Sequence, residues 1–324
     1  MAEVKALLQY RASPGFVGRL HAEAPPWLEV VVVDETHREV FDTELPSVDV
    51  ILHVLEPVTA EVIASAPALE LVQKIGVGVN TIDLDAAARH GVGVANMPGT
   101  NTQAVAEHAL GLTLAVLRRI VTIDAATRAG RGWRLDLDLL DDLGEIGGRT
   151  VGLVGYGAVG RRFAEILAAI GARVVYTATT PKHGAGPAEW RELPDLLAES
   201  DVVSLHVPLT PATERLLAAA AFASMRTGAV LVNTARGGLV DEAALLDALA
   251  SGHLRGAGLD VFVDEPVDPG NPLLSLDRVV VAPHVAWLTP ETLDRSMHVA
   301  FENCRRVRDG EPLLHEILPV ARRR

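Results

Sequence analysis

Three aliphatic runs in this chain are each followed by a residue that could take part in proton or charge transfer. After residues 229–232 comes Asn233-Thr234-Ala235-Arg236-Gly237-Gly238, and after Gly258-Leu259 comes Asp260-Val261-Phe262-Val263-Asp264-Glu265-Pro266. After residues 279–282 comes Pro283-His284-Val285-Ala286-Trp287. A ketone and an alcohol that interconvert by hydride transfer need a proton donor and acceptor working near neutrality. They also need a cation to hold a substrate carboxylate and a group that tunes the donor. His284, Arg236 and Glu265 are of those three types. Taken singly, each has a plainer reading: a surface ion pair, a loop acid before proline, a satisfied core histidine. Position is what links them. In an open α/β sheet the carboxyl ends of the strands line the ligand crevice, so Arg236, Asp260, Glu265 and His284 would converge there.

The other half of such chemistry is a dinucleotide site. Gly155-Tyr156-Gly157-Ala158-Val159-Gly160 follows the aliphatic run 151–154 and opens a helical stripe of Val159, Phe163, Ile166, Leu167 and Ile170, which Gly171 stops before another strand-like run. In that context Gly155 permits the tight turn, Gly157 lets the backbone approach a pyrophosphate, and Gly160 lets helix and strand pack closely. About 20 residues on, an NAD site places Asp or Glu on the ribose hydroxyls. Here no acid stands between Glu165 and Glu189, and the strand ends Tyr176-Thr177-Ala178-Thr179-Thr180-Pro181-Lys182-His183. Without a carboxylate at Ala178 nothing repels a 2′-phosphate, while Thr179, Thr180 and Lys182 add donors. The sequence therefore favours NADP slightly over NAD, with a relaxed NAD site as the alternative.

The elements that must position these groups follow a βα rhythm. Residues 4–8, 28–33, 48–52, 69–75 and 92–95 read as strands joined by Ala-rich, helix-compatible connections, a parallel layer of about five strands. The rhythm restarts at Thr150, with strand-like runs at 151–154, 173–176, 202–205, 229–232, 258–261 and 279–282, a doubly wound sheet of six. Between the two lie a helix over 102–117 and a charged stretch over 118–142. That stretch carries Trp133, Leu135, Leu137, Leu139 and Leu140; it reads as an excursion from the core whose apolar residues would meet a second subunit. A last helix spans 291–308.

The order GxGxxG, Asn-Thr-Ala-Arg-Gly, Leu-Asp-Val-Phe-x-x-Glu-Pro and Pro-His resembles the D-isomer-specific 2-hydroxyacid dehydrogenase family. The resemblance extends to Lys74-Ile75-Gly76-Val77-Gly78-Val79 and to Asn96-Met97-Pro98-Gly99 through Val105-Ala106-Glu107, nearly the whole chain. It implies an NAD(P)-dependent dehydrogenase, with His284 as general acid/base paired with Glu265, and Arg236 binding and polarising the 2-oxo acid. It implies Val77 and Gly78 at the substrate carboxylate, and Ala158 and Val159 at the pyrophosphate. Thr234 and Ala235 would lie near the nicotinamide, Asp260 on its carboxamide, His284 and Ala286 beside the cofactor, and His206-Val207-Pro208 near the adenosine. It further implies an α/β fold of two Rossmann-like or flavodoxin-like domains with the site in the cleft between them. Residues 1–97 plus 289–324 would form the substrate domain, and 98–288 the dinucleotide-binding domain. A homodimer is expected. Three departures stand out: no ribose acid at Ala178, Asn80-Thr81 after the glycine turn, and Ala286-Trp287 after the histidine.

Among rivals, an L-lactate or L-malate dehydrogenase would carry its glycine turn near the N-terminus, and a formate dehydrogenase of this family would carry Gln for Glu265. A dinucleotide-sensing, corepressor-like binding protein is the rival from another class, opposed by the intact Arg236, Glu265 and His284. Within the family the alternative is a short-form D-3-phosphoglycerate dehydrogenase. No regulatory domain of the long forms is expected, and His53, Val54 and Leu55 stand where phosphate-handling relatives tend to show arginine. Glyoxylate, hydroxypyruvate and larger apolar 2-oxo acids stay open as substrates.

Composition closes off other classes. Of 324 residues, 49% are hydrophobic and 22% charged, a folded balance, and 4% aromatic, so aliphatic side chains must build the core. A net charge of -13 repels phosphate backbones, which argues against nucleic acid, and Arg322-Arg323-Arg324 reads as a solvated tail. Cys304 is the only cysteine, excluding an intrachain disulfide and a Cys-based zinc site; no metal is expected. Neither a signal peptide nor a run of 18 apolar residues is present, so no membrane partner and a cytoplasmic location are expected.

Overall fold

A computed structural model describes residues 3–184 and 186–321, so the triple-arginine end lies outside the described residues. The chain divides into two compact units, Met1–Asn101 with Thr289–Arg324, and Thr102–Leu288. In the first, the aliphatic runs form β1 (Val4–Gln9), β2 (Leu28–Val33), β3 (Val50–His53), β4 (Leu71–Lys74) and β5 (Gly93–Ala95). Every residue of β3, β4 and β5 is buried, as expected of parallel strands covered on both faces. They pair in the order β2-β1-β3-β4-β5, the flavodoxin-like order, which reverses direction between β1 and β3. Leu7, Ile51, Val72 and Val94 anchor the core against Phe41, Val62 and Ala86 of the connecting helices.

The second unit contains β6 (Thr150–Val154), β7 (Arg173–Thr177), β8 (Ala188–Trp190), β9 (Val202–Leu205), β10 (Ala229–Asn233), β11 (Leu254–Leu259) and β12 (Val279–Val281). All pairs are parallel, and the order β8-β7-β6-β9-β10-β11-β12 is the Rossmann order with one strand added. Its switch point lies between β6 and β9, where the glycine turn and the His206 segment emerge. The helix Thr102–Leu117 lies on β11, where a Cβ at Gly256 would come within 2.7 Å of Val116 and one at Gly258 within 2.8 Å of Leu112. Those glycines let the helix touch the strand.

Three expectations need correction. A seventh strand, β8, extends the second sheet, and β13 (Glu316–Leu318) pairs antiparallel with β5 at the edge of the first. Each is three residues long, too short to show a period. β11 begins at Leu254 and ends at Leu259, so Asp260 stands just past the strand; Gly256 disguises its first half. The stretch over 118–142 holds two helices, Ile120–Arg128 and Leu137–Asp141, neither with a buried residue. Trp133 is 95% exposed and Leu137 75%. The stretch is tied down by ion pairs of Asp142 with Arg255 and Arg119. The long helix Pro290–Asp309 returns to the first unit, where Asn303 donates to Gln73 Oε1 inside the core.

Candidate active site

β6 runs directly into the glycine turn. Gly155 has φ +104°, and a Cβ there would sit 2.5 Å from the His206 carbonyl oxygen, so only glycine lets the two loops meet. A Cβ at Gly160 would collide with the Gly155 carbonyl. At Gly157 a Cβ would meet nothing within 4 Å, so the protein's own packing does not demand that glycine; it leaves the N-terminus of helix Ala158–Ala169 bare. No side chain caps that end. The first-turn N–H groups, Ala158 and Val159 among them, thus face a space a pyrophosphate fits. The His206 ring packs edge-on against Phe163 and bonds Ser204 Oγ at 3.0 Å. Burial pushes its pKa down to about 4, so the ring is neutral; His206 and Val207 are half-buried and Pro208 exposed.

At the next strand ends, backbone contacts bring the reactive groups together. Asn233 closes the turn after β10: its Nδ2 donates to the Arg236 carbonyl and its Oδ1 accepts from Ala235 N–H. A Cβ at Gly237 would collide with the Phe262 carbonyl, so glycine lets the Arg236 turn lie against the loop that carries Glu265. Glu242 pins that loop by accepting from Val263 N–H at 2.8 Å and from Asn271. Glu265 Oε1 accepts from Phe262 N–H at 3.0 Å, and its Oε2 lies 2.6 Å from His284 Nδ1. Burial raises the Glu265 carboxyl, but the His284 and Phe262 hydrogen bonds and the His284 and Arg236 charges outweigh it and hold the group below the usual range. Arg236 is lowered by burial against the pull of Glu265; a guanidinium so placed stays charged.

His284 occupies a left-handed backbone conformation, φ +56°, which a non-glycine residue keeps only when its surroundings enforce it. Asp260 enforces it. Its backbone carbonyl accepts from His284 N–H at 2.7 Å, and its two carboxylate oxygens accept from Val285 and Ala286 N–H at 2.9 Å each. Trp287 Nε1 then donates to the His284 carbonyl at 3.1 Å. The large aromatic after the histidine is therefore a strap for its loop. Asp260 is 1% exposed, so the geometry first makes it the anchor of that loop; a carboxamide contact has only its remaining lone pairs to use. Ala286 is buried with its N–H taken by Asp260. The Thr234 hydroxyl is buried and finds no partner among the described residues, an orphan beside the place expected for a nicotinamide.

The ribose end is open. Ala178 is half-buried, its carbonyl accepting from Trp190 Nε1, while Thr179, Thr180 and Lys182 are exposed. Arg161, not singled out from the sequence, lies over the Tyr156 ring and donates to the Gly184 carbonyl at 3.4 Å, bringing a cation to this loop. Its signal was its place one residue past the last glycine of the turn. His108 was also missed; it lies 3.5 Å from Asp260.

Val77 and Gly78 belong to the first unit, in the turn after β4. Asn96 Nδ2 donates to the Val77 carbonyl, and Met97 N–H to that of Gly76. Among the described residues the N–H groups of Val77 and Gly78 have no acceptor, so two adjacent donors are available to an anion. Beside them, His53 is buried, and burial together with the Lys74 charge lowers it to about 3. It bonds Thr81 Oγ1, while Lys74 Nζ donates to the Val54 carbonyl. Chemically, the second unit holds a histidine–carboxylate pair able to carry a proton, a cation beside it, and a cradle for a dinucleotide; the first holds a small anion cradle.

The family described as D-isomer specific 2-hydroxyacid dehydrogenase, NAD binding domain, matches residues 110–286. D-3-phosphoglycerate dehydrogenase of Mycobacterium bovis is 42% identical over 289 residues, 88% of this chain and 54% of its own, so this chain spans about half of that relative. Glyoxylate reductase of Aeropyrum pernix is 41% identical over 252 residues, 76% of this chain and 75% of its own. A crystal structure of a protein from Thermus thermophilus is similar with a TM-score of 0.86 at 39% identity, covering 98% of this chain and all of that one.

Proposed function

Since the chain belongs to the D-isomer-specific 2-hydroxyacid dehydrogenase family, we propose that it is an NAD(P)-dependent oxidoreductase that reduces a 2-oxo acid to the D-2-hydroxy acid and reverses the reaction. The observation that carries this reading is the 2.6 Å His284–Glu265 pair at the strand ends, with Arg236 beside it. The bound nicotinamide would supply the hydride. His284 delivers the proton: with Nδ1–H held toward the Glu265 carboxylate, Nε2–H is left to donate to the substrate's carbonyl oxygen. Glu265 stabilises the imidazolium that reduction requires. Arg236 holds the substrate carboxylate and draws electron density from the carbonyl. The Val77 and Gly78 N–H groups of the first unit form a second cradle of the kind a carboxylate takes. The bare helix end at Gly157 and the Thr234 hydroxyl are where the dinucleotide fits, with Ala235, Val207 and Pro208 along its length.

The cofactor is NADP by a small margin over NAD, supported by Ala178 where a ribose carboxylate would stand and by Arg161 at the same loop. The exposed Trp133–Leu137 surface supports a homodimer through the 118–142 stretch. The lone buried Cys304 thiol supports a reducing, cytoplasmic setting. The substrate is glyoxylate, hydroxypyruvate or a larger apolar 2-oxo acid: His53, Val54 and Leu55 offer no arginine to a phosphate. The test is a panel of these acids, with 3-phosphohydroxypyruvate included, run with NADH and with NADPH on the purified chain and on His284→Ala. Turnover of a non-phosphorylated acid is expected, with kcat at least ~10²-fold lower in the variant and cofactor affinity little changed. No turnover with any 2-oxo acid, or a variant keeping most of its kcat, refutes the reading.

A further inference from the structure

The helix Thr102–Leu117 and β11 run in step. Val116 lies at Gly256 and Leu112 at Gly258, a pairing of four helical residues with two strand residues. Four helical residues rise about 6 Å and two strand residues about 6.6 Å, so the pairing continues along the contact. Its next members are His108 and Asp260. His108 Nε2 lies 3.5 Å from Asp260 Oδ1, is buried, and has no hydrogen-bond partner among the described residues. Asp260, in turn, grips the N–H groups of Val285 and Ala286 and so holds His284 in its left-handed conformation.

Resting on the oxidoreductase reading above, we propose that His108 is a positioning residue. Its Nε2–H donates to Asp260 Oδ1, keeping that carboxylate ionised and in the rotamer that presents His284 to the substrate. Burial pushes the Asp260 carboxyl up, against the pull of the Ala286 and Val285 amides and of His108 and His284. A protonated Asp260 would turn one acceptor into a donor facing an N–H, and the loop would lose a tie. At 3.5 Å the contact is long but already in place without a ligand, as is common for hydrogen bonds in such sites.

His108→Leu removes the donor and keeps the bulk. His108→Gln places an amide nitrogen at the same point along the side chain as Nε2, without charge. In the free enzyme, His108→Leu is expected to speed hydrogen exchange at Val285 and Ala286 about 10-fold without loosening the rest of the second sheet. With a 2-oxo acid and reduced cofactor, kcat should fall about 10-fold while the KM for cofactor stays within about 3-fold, and His108→Gln should restore both exchange and kcat. Wild-type exchange and kcat in His108→Leu overturn the proposal, as does a His108→Gln variant no better than the leucine one. Should the leucine variant not fold, His108→Asn, whose amide stops one carbon short, takes its place. If the wild type turns over no 2-oxo acid the oxidoreductase reading fails, and the exchange comparison still decides the His108 contact.

Discussion

Replacing Glu265 by Gln removes one negative charge from beside His284 while keeping the shape of the side chain. The nearest atoms of the pair are 2.6 Å apart, and the side chains are 20% and 34% exposed. The delocalised charges have centres about 4 Å apart, which corresponds to about 1 kcal/mol in water and about 4 kcal/mol at an effective dielectric of 20. Partial exposure places the pair between those limits, and about 1.4 kcal/mol moves a protonation midpoint by one unit. Reduction needs the imidazolium, whose population falls as pH rises; without the carboxylate it falls sooner. The alkaline fall of kcat/KM for reduction should therefore move to lower pH, while oxidation of the hydroxy acid extends to lower pH. The assay is kcat/KM in both directions from about pH 5 to about pH 10 at constant ionic strength. Glutamine can accept from only one of Phe262 N–H and His284, a loss of about 1 kcal/mol that a thermal melt would register separately. A midpoint that stays put or rises, whatever happens to the rate, would show that Glu265 does not support the imidazolium.

Other expectations are as direct. Ala178→Asp should raise the NADH-to-NADPH ratio of kcat/KM by about one to two decades, since a charge-assisted hydrogen bond contributes about 1.5–3 kcal/mol; an unmutated enzyme already tenfold better with NADH would remove the case for NADP. Gly237→Ala must push the Phe262 backbone away from Arg236, so the melting temperature should fall, by the equivalent of about 2–3 kcal/mol, together with kcat. Light scattering should give the mass of a dimer, and Trp133→Asp combined with Leu137→Asp should halve it; a monomer before mutation removes the role given to that surface.

The βα rhythm, the glycine turn and the Arg236, Glu265 and His284 positions could all be read from the linear sequence. Each depends on local properties: continuous aliphatic runs for buried strands, glycine where a turn or a close approach demands it, polar groups just past a strand's end. The three-residue strands β8 and β13 could not be read, because a strand that short has no period and exists only by pairing with a neighbour already in place. The same limit applied inside the site. Asp260 was legible as an acid at a strand end, and the sequence pointed it toward a ligand. Tertiary structure turned its oxygens onto the Val285 and Ala286 amides, and set His108 above it through two glycines that let a helix from another part of the chain touch β11. His206 was legible as a residue near the glycine turn, but the packing of its ring on Phe163 and its bond to Ser204 were not. The sequence by itself determined which reactive groups the chain carries and which strand ends present them. The packing of segments distant in sequence decided which groups face a ligand, which hold others in place, and which protonation state burial leaves to each, because desolvation and hydrogen-bond partners depend on distance in space and not on spacing along the chain.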